Sequence, residues 1–517
     1  MNTHLGRSTS VWMTTATRPA FPNLTQNEHA AVCIVGAGIA GLTTAYLLGK
    51  AGKTVIVLDD GPIFSGETER TTAHLVTALD KRYFELEQLH GESGAKLAAQ
   101  SHAAAIDMIE RIVLEEHIAC DFERVDGYLF NTPDQPPDLL DRELAAARRA
   151  GITNTELVDR EPPTSFDTGR ALRFRRQAQF SPQKYLSALA QCIVRDGGRI
   201  FTDTHATQFA GGKPAQVTTR GGSTVSCEAI VIATHTPVND CVLQAKQAAY
   251  RTYVIGVAVP AGTVPKALYW DTGDPYHYIR LVETKASGTA TAQDTLLVGG
   301  EDHRTGQADD ADIRYTRLEQ WTRQRFPMAA EVRFRWSGQI MASVDGLAFI
   351  GRNPLDHENV YVVTGDSGTG IMHGTIAGLL LTDLIQGREN PWTDLYSPAR
   401  VTLGAATDFA LGAVNTASQY IDWLTAGDLA KDELVPTGTG AIVRHGLIKV
   451  AVYRGAKGAL RECCAVCPHL GGIVAWNHAE NTWDCPAHGS RFDPLGTVLN
   501  GPANENLQST PAAAASD

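Results

Sequence analysis

Two short cysteine–histidine pairs near the C-terminus constrain the fold of this chain more than any other feature. They are Cys467-Pro-His469 and Cys485-Pro-Ala-His488, and fifteen residues separate them. Thiolates and imidazoles at this spacing are typical metal ligands, so the two loops that carry them are expected to meet around one metal centre. Zinc sites usually combine a pair of cysteines with a pair of histidines, whereas both pairs here are mixed. The spacing therefore favours a [2Fe–2S] cluster held by all four residues, with zinc as the alternative.

The flanking sequence resembles the Rieske iron–sulfur family over residues 435–507. The resemblance implies that two thiolates hold one iron and two imidazoles hold the other. Rieske potentials run from roughly −150 to +300 mV, so such a cluster can accept single electrons from a reduced organic cofactor. Family members from respiratory complexes join the two loops by a disulfide, but Gly472 and Ala487 occupy those positions here. Ser490 keeps a hydroxyl for a cluster sulfur while Phe492 replaces a tyrosine, so we expect a potential in the middle or lower part of the range.

A glycine motif near the N-terminus predicts a dinucleotide-binding unit. An apolar strand precedes Gly36-Ala-Gly38-Ile-Ala-Gly41, a helix follows it, and a second apolar strand ends at Asp59. In such a unit the first glycine makes a tight turn, the second lets the backbone approach a pyrophosphate, and the third lets the helix pack on the strand. The helix N-terminus would face the phosphates, and the acid would accept from the ribose hydroxyls. The cofactor-binding residues predicted from this unit are Gly36, Gly38, Ile39, Ala40, Gly41 and Asp59.

Two later segments favour a flavin over a nicotinamide. Residues 229–234 predict a buried strand ending in a small-residue turn, and residues 360–378 predict a strand, a glycine loop and a helix. With the first unit they resemble the FAD-dependent amine and D-amino-acid oxidoreductase family over about residues 30–385. In that family the glycine loop and its helix cover the isoalloxazine and ribityl parts of FAD. The resemblance implies further FAD contacts from Thr71, Thr72, His74, Ala233, Thr234, Gly365, Asp366, Gly370, Met372, His373 and Gly374.

His74 leaves two interpretations open. Some dehydrogenases that resemble this chain attach FAD covalently through a histidine in a similar loop. A histidine that only donates or accepts hydrogen bonds is the other interpretation.

The candidate catalytic residues lie in a strand predicted on the substrate side. Alternation places Tyr276, Tyr278 and Arg280 on one face of this strand and His277 on the other. Either face could reach the flavin, and packing within a half-buried sheet is an alternative role for each of the four.

One absence bears on the substrate. In amino-acid-oxidising relatives a W-x-G-x-R-P stretch supplies an arginine that pairs with the substrate carboxylate. The matching stretch here is WSGQIM at residues 336–341, with Ile340 in the place of the arginine. An amine, a polyamine derivative or a modified amino compound therefore fits better than a simple α-amino acid, unless Arg280 or Arg304 substitutes.

The fold class predicted is an α/β FAD-binding, Rossmann-like domain with an inserted α+β substrate domain, followed by an all-β Rieske domain. The expected parts are an N-terminal arm at 1–29, the FAD domain at 30–385 with substrate insertions at about 80–180 and 245–340, a mostly helical linker at 386–433, the Rieske domain at 434–507 and a disordered tail at 508–517.

Composition narrows the class of protein. A net charge of −12 at pH 7 argues against a nucleic-acid surface. No apolar run reaches the roughly 18 residues that a membrane span needs, and the N-terminus lacks an apolar signal core. The nine cysteines are an odd number and imply no disulfide framework. A cytoplasmic enzyme is the expectation.

Both cofactor signatures together predict an oxidoreductase. We expect an FAD-dependent dehydrogenase that oxidises the C–N bond of an amine or amino compound. Its electrons would pass singly through the cluster to an external acceptor such as a ferredoxin, a cytochrome or a quinone. One alternative is a reductase fed through the cluster, and another is a redox sensor or scaffold whose cluster is structural. A Rieske oxygenase is disfavoured, because we find no closely spaced set of two histidines and a carboxylate outside the cluster.

Overall fold

The computed structural model describes residues 6–14, 17–160, 162, 165–238, 243–283 and 292–510. In chain order its first strands are β1 (Glu28–His29), β2 (Val32–Val35), β3 (Val55–Leu58), β4 (His74–Leu75), β5 (Glu123–Phe130), β6 (Thr155–Val158), β7 (Ala171–Gln179), β8 (Arg199–Phe201), β9 (Ala206–Ala210), β10 (Ala215–Thr219), β11 (Thr224–Cys227), β12 (Ala229–Ile232), β13 (Gln247–Pro260), β14 (Leu268–Asp271), β15 (His277–Val282), β16 (Gln293–Arg304), β17 (Val332–Ser343), β18 (Phe349–Arg352) and β19 (Val360–Thr364).

The α-helices are α1 (Ile39–Lys50), α2 (Tyr83–Glu115), α3 (Leu139–Arg149), α4 (Pro182–Arg195), α5 (Ala311–Arg325), α6 (Gly370–Ile385), α7 (Thr393–Tyr396) and α8 (Ala406–Ser418). The C-terminal strands are β20 (Thr439–His445), β21 (Ile448–Arg454), β22 (Leu460–Cys464), β23 (Ala475–Asn477), β24 (Thr482–Asp484), β25 (Arg491–Phe492) and β26 (Val498–Asn500). Short 3₁₀ helices lie at Trp12–Thr14, Glu67–Arg70, Leu243–Lys246, Leu403–Ala405, Gln419–Leu424 and Asp432–Leu434.

The glycine motif lies at the centre of a six-stranded sheet with the strand order β18-β19-β12-β2-β3-β8. All strands but the edge strand β18 run parallel. Every residue of β2, β3 and β12 is buried, as expected for apolar strands covered on both faces. Helix α1 packs against α6 and α4, which places the glycine turn between two helices. The predicted α/β architecture is confirmed.

The substrate side is one sheet with the order β17-β13-β16-β15-β14-β5-β7-β4, and β6 pairs with β7. The two predicted insertions thus join, through the parallel pairing of β5 with β14. Helix α2 lies in the first of these insertions and breaks at Gly91, whose φ is +71°. Among the helices of the described part of the chain, none has the length and apolar character that crossing a membrane requires.

The C-terminal part contains two small antiparallel sheets, β20-β21-β22 and β23-β24-β25-β26. The loop from β22 to β23 carries the first cysteine–histidine pair, and the loop from β24 to β25 carries the second. The expected disorder of the tail is wrong for its first residues, because Gln508 accepts from the Cys464 amide at 2.7 Å and Ser509 bridges to Cys463. Residues 511–517 of that tail lie outside the described residues.

A buried ion pair joins the part of the chain with the glycine motif (residues 30–385, here the FAD-type part) to the C-terminal part (residues 434–510). A serine of the N-terminal arm hydrogen-bonds to the same pair. The Glu480 carboxylate lies 3.5 Å from the Arg70 guanidinium, and both side chains are fully buried. Ser8 of the arm donates to Glu480 at 2.6 Å. Burial alone would raise the pKa of Glu480, but Arg70, Arg251 and Arg491 together lower it to about 2. The carboxylate is therefore charged at neutral pH and pairs with the Arg70 guanidinium.

We expect Glu480→Gln to lower the free energy of unfolding by about 3–5 kcal/mol at pH 7, because it removes the buried negative charge that pairs with Arg70. A pKa depressed by folding means that the contribution is complete above the ordinary value of 4.5 and is lost as the pH falls towards 2. The difference between wild type and variant should therefore shrink on acidification. Thermal unfolding across this pH range measures it, with the exposed Glu505→Gln as control. Equal melting temperatures of wild type and E480Q at pH 7 would contradict the role of the pair.

Candidate functional site

One cavity gathers most of the predicted FAD-binding residues. Those that line it are Gly36, Gly38, Ile39, Ala40, Asp59, Thr71, Thr72, His74, Ala233, Thr234, Asp366, Gly370, His373 and Gly374. Gly41, Gly365 and Met372 were predicted for the same site but do not line the cavity. Met372 is fully buried in the core beneath it.

The three glycines of the motif have different reasons to be glycine. Gly36 has a φ of +106°, and a Cβ on it would lie 2.3 Å from the carbonyl oxygen of Ala233. A Cβ on Gly41 would lie 1.8 Å from the carbonyl oxygen of Gly36. By contrast, a Cβ on Gly38 would meet only the Thr68 hydroxyl, at 3.1 Å. The fold thus requires the first and third glycines, whereas the second keeps the cavity open for a ligand.

The end of the second strand supports this turn. Asp59 accepts from the Ala37 amide at 2.6 Å and from the Gly61 amide at 3.0 Å, and it also lines the cavity. Helix α6 approaches α1 so closely that a Cβ on Gly374 would lie 2.7 Å from the Ile39 side chain. Two helix N-termini and a strand-end carboxylate around a small-residue crevice are what a dinucleotide needs. The residues present therefore fit FAD.

His74 has partners for both ring nitrogens. Nδ1 lies 3.0 Å from the Thr72 hydroxyl, and Nε2 lies 3.2 Å from the carbonyl oxygen of Ile279. Burial, assisted by Arg280, lowers the pKa of His74 to about 3, so the ring is neutral at pH 7. This arrangement favours the hydrogen-bonded interpretation over a covalent link, which would need one ring nitrogen.

The side chains of the predicted catalytic strand point to two different sides, as the alternation of the sequence indicates. Tyr276 and Tyr278 line the cavity with their rings 5.7 Å apart, and the Tyr278 hydroxyl lies 2.8 Å from that of Thr252. His277 points to the other side, where it stacks on Trp321 at 4.3 Å. It therefore does not reach the cavity.

Arg280 is also absent from the cavity wall, although alternation places it on the face of the two tyrosines. Its guanidinium donates to the buried carbonyls of Thr72, Ala73 and Phe180 at 2.8–3.2 Å. The geometry thus gives His277 a packing contact and Arg280 contacts with the backbone, and the catalytic role of both stays a prediction. Arg304 donates to Asn415 instead of lining the cavity. Ile340 does line it, so an apolar side chain stands where amino-acid-oxidising relatives have arginine.

The four predicted metal ligands meet as two like pairs. The Cys467 and Cys485 thiols are buried and hydrogen-bond each other, and the His469 and His488 rings meet edge to face at 5.0 Å. The four ligands are thus grouped as a Rieske cluster requires, with both thiols on one side and both imidazoles on the other.

The two cluster loops also meet where the disulfide is missing. A Cβ on Gly472 would lie 3.1 Å from the Cβ of Ala487, shorter than the roughly 3.5–4.5 Å found in disulfides. The Ser490 hydroxyl interacts with the Cys467 thiol and accepts from the Ala503 amide at 3.0 Å. Phe492 is fully buried and offers no hydroxyl. The two loops thus lack the disulfide and the tyrosine hydroxyl of the respiratory family members, as the sequence indicates.

The C-terminal part closes the cavity. Val498, Leu499, Asn500, Gly501, Ala503 and Asn504 line it together with the glycine turn. Gln339, next to Ile340, donates to the carbonyl oxygen of Gly489 at 2.8 Å and accepts from Asn500 at 2.9 Å. Gly489 follows the predicted ligand His488 directly. Sequence reasoning missed Gln339 and Asn500, and its nearest signal was the position of Gln339 beside the missing arginine.

The linker holds the other cluster loop. Tyr420 donates to the carbonyl oxygen of Leu470 at 2.8 Å, and Trp423 donates to that of Gly471 at 2.9 Å. The predicted cluster site is thus held between the cavity wall and the linker.

Comparison with known proteins agrees with both halves of the molecule. The family model for FAD dependent oxidoreductases (DAO) matches residues 31–384, and that for the Rieske [2Fe-2S] domain matches residues 426–511. YhfW of Bacillus subtilis (strain 168), described as a Rieske 2Fe-2S iron-sulfur protein, is 30% identical over 503 residues, or 96% of each chain. Gamma-glutamylputrescine oxidoreductase of Escherichia coli (strain K12) is 26% identical over 383 residues, covering 71% of this chain and 86% of the relative. Glycine oxidase from Geobacillus kaustophilus has a similar fold, with a TM-score of 0.59 at 20% identity over 72% of this chain and 100% of that one.

Proposed function

Because the chain belongs to the FAD dependent oxidoreductase family and carries a Rieske [2Fe–2S] domain, we propose that it is an amine dehydrogenase whose own cluster transfers electrons away from the flavin. A C–N bond of an amine or amino compound is oxidised at the cavity, and the electrons leave singly through the cluster to an external acceptor. When bound, FAD supplies two-electron hydride acceptance and the cluster supplies one-electron transfer.

The observation that carries this proposal is the shared wall between the two cofactor sites. Residues 498–504 line the cavity of the glycine turn, and Gln339 connects that cavity to the loop of His488. A structural cluster would not need to lie against the cavity. The contact supports direct transfer between the two sites within one chain.

We assign the cofactor-holding roles as follows. Gly38 and the N-terminus of α1 receive the FAD pyrophosphate, and Asp59 holds the ribose end while it orients the glycine turn. The loop before α6 covers the flavin. Cys467 and Cys485 hold one iron, and His469 and His488 hold the other, as their pairing in space supports.

The substrate class is inferred from the cavity and from one relative. Ile340 removes the family's means of binding an α-carboxylate, which supports an amine over an amino acid. The relative that acts on gamma-glutamylputrescine points the same way. The cavity side chains then position the substrate and exclude water, while Tyr276 and Tyr278 form part of its wall.

Anaerobic mixing of the holoprotein with candidate amines tests the proposal. A substrate should bleach the flavin absorbance first and then produce the electron paramagnetic resonance signal of the reduced cluster. A protein whose cluster must be reduced before the flavin would be a reductase. Absence of any flavin reduction by amines would contradict the proposed activity.

We expect Gln339→Met to slow electron transfer from flavin to cluster severalfold, because it removes both hydrogen bonds of the shared wall. Bleaching of the flavin by substrate should be unchanged. Gln307→Met is the matched control, since Gln307 also donates to the second cluster loop, at the Pro486 carbonyl, but does not line the cavity. Equal rates of electron transfer from flavin to cluster in wild type, Q339M and Q307M would mean that the hydrogen bonds of Gln339 do not contribute to this transfer.

A further inference from the structure

One carboxylate lines the substrate side of the cavity, and a second lies directly behind its wall. Asp80 lines the cavity, and its Oδ2 lies against the backbone of Gly368, in the loop before α6. Asp302 of β16 lies beside the hydroxyls of Thr252 and Tyr276, which themselves line the cavity. Its Oδ1 is buried and has no hydrogen-bond partner among the described residues.

Nearby positive charges do not offset the effect of burial on the pKa values of Asp80 and Asp302. Loss of surrounding water raises the pKa of Asp80 to about 6, with Arg82 opposing the shift and Asp366 adding to it. Burial raises the pKa of Asp302 to about 7, with Asp80 adding to the shift. A carboxylate that protein surrounds without a counter-charge stabilises any cation that enters.

The nearby cations are occupied elsewhere. The Arg280 guanidinium is held by three backbone carbonyls, and His74 is neutral. Arg70 lines the cavity but pairs with Glu480. Arg82 also lines it and lowers the pKa of Asp80, so it offsets part of that negative charge. Asp80 and Asp302 together still outnumber this one cation on the substrate side of the cavity.

Aromatic rings complete the same region. Trp270 lines the cavity beside the Tyr276–Tyr278 pair, and the faces of such rings attract ammonium groups. Ile340 contributes apolar surface for a hydrocarbon chain.

We propose that the substrate binds as an alkylammonium cation with no carboxylate on the reacting carbon, selected by Asp80, Asp302 and the Tyr276–Tyr278 pair. This inference rests on the proposed function and names the substrate class of its site. An α-carboxylate would meet Asp80 and Ile340 where related oxidases present arginine, with Asp302 behind the wall. The site is therefore expected to prefer a cation, whereas the sites of those oxidases bind a carboxylate.

Three four-carbon probes test the preference in the oxidised holoprotein: butylamine, butanol and α-aminobutyrate. Under anaerobic conditions equilibrium dialysis reports binding, and the flavin spectrum distinguishes a shift on binding from bleaching by reduction. We expect butylamine to bind roughly tenfold or more tightly than either other probe, because only butylamine is a net cation. Asp302→Asn and Asp80→Asn should each weaken butylamine binding roughly tenfold and leave butanol binding unchanged.

Melting temperature separates recognition from folding. A carboxylate whose pKa is raised by folding destabilises the empty protein at pH 7, so Asp302→Asn should keep or raise the melting temperature. A merely structural acid would lower it. Asp312→Asn, on the exposed start of α5, is the matched control and should change neither binding nor melting.

The outcomes are distinct from those of the proposed function. The inference is overturned if α-aminobutyrate binds as tightly as butylamine, if both asparagine variants bind butylamine like wild type, or if millimolar butylamine shows no binding. If butylamine binds and no amine reduces the flavin, the cation site holds and the dehydrogenase proposal fails. If an anionic amino compound reduces the flavin efficiently, the dehydrogenase holds and the cation site fails.

Discussion

Gly38→Leu protein is expected to fold, to purify colourless and to contain almost no FAD. A Cβ on Gly38 would meet only the Thr68 hydroxyl within 4 Å, and this glycine lines the cavity, so we expect the rest of the leucine to extend into it. It would occupy the space in which a pyrophosphate must approach the backbone, so binding is blocked while the fold is spared. Flavin content per protein, read from absorbance after denaturation, measures the effect, and circular dichroism checks the fold.

The control for this change lies on the same helix. A Cβ on Gly49 meets nothing within 4 Å, and its helical position predicts that a leucine there would stabilise α1 by about 1 kcal/mol. Gly49→Leu should therefore keep full flavin occupancy. A Gly38→Leu protein that purifies yellow and fully occupied would mean that the dinucleotide does not pass over this glycine. Gly41→Ala should instead destabilise the fold itself, because its Cβ would lie 1.8 Å from the Gly36 carbonyl oxygen.

Short-range patterns predicted the two cofactors because one local segment carries each main pattern. The turn from Gly36 to Gly41 needs only a strand, a helix and the carbonyl groups beside them. The two cluster loops were predicted from ligand spacing alone, and both lie at strand ends of the C-terminal sheets. In such sites the residue types and their separations already contain most of the geometry.

Long-range partners could not be predicted in this way. Glu480 pairs with Arg70 across 410 positions of the chain, and Gln339 meets Gly489 across 150. No periodic signal connects residues that far apart, so the closed contact between the two halves became visible only in the fold. Arg280 shows a second limit: alternation placed it correctly on a face, but its long side chain reaches past the cavity to backbone carbonyls.

The same contact between the two halves gives the cluster a fixed position. Pro486 and Gly489 of the second loop accept hydrogen bonds from the FAD-type part, while Leu470 and Gly471 of the first loop accept them from the linker. A cluster held on both sides is suited to receive electrons from one site and release them at another. It would not need the domain to move between them.

Cys485→Ser is expected to abolish the Rieske signal and to stop turnover with a one-electron acceptor. Substrate-driven bleaching of the flavin should remain. Cys485 is buried beside Cys467, and a serine there is a poor ligand for iron, so the cluster is lost or labile. The cavity residues that would hold FAD belong mostly to other elements, so flavin content should stay high. Rapid mixing would show a normal first phase and a stalled second phase.

Cys463→Ser separates loss of the cluster from damage to the module. Cys463 is also buried in this module, but it contacts the Ala451 carbonyl and is not a predicted ligand. This variant should keep iron, sulfide and both kinetic phases. If bleaching disappears in folded, flavin-replete C485S protein, electrons enter through the cluster and the reductase alternative applies. If both phases persist in C485S protein that lacks iron, the cluster only supports the fold, and the flavin must pass its electrons to the acceptor directly.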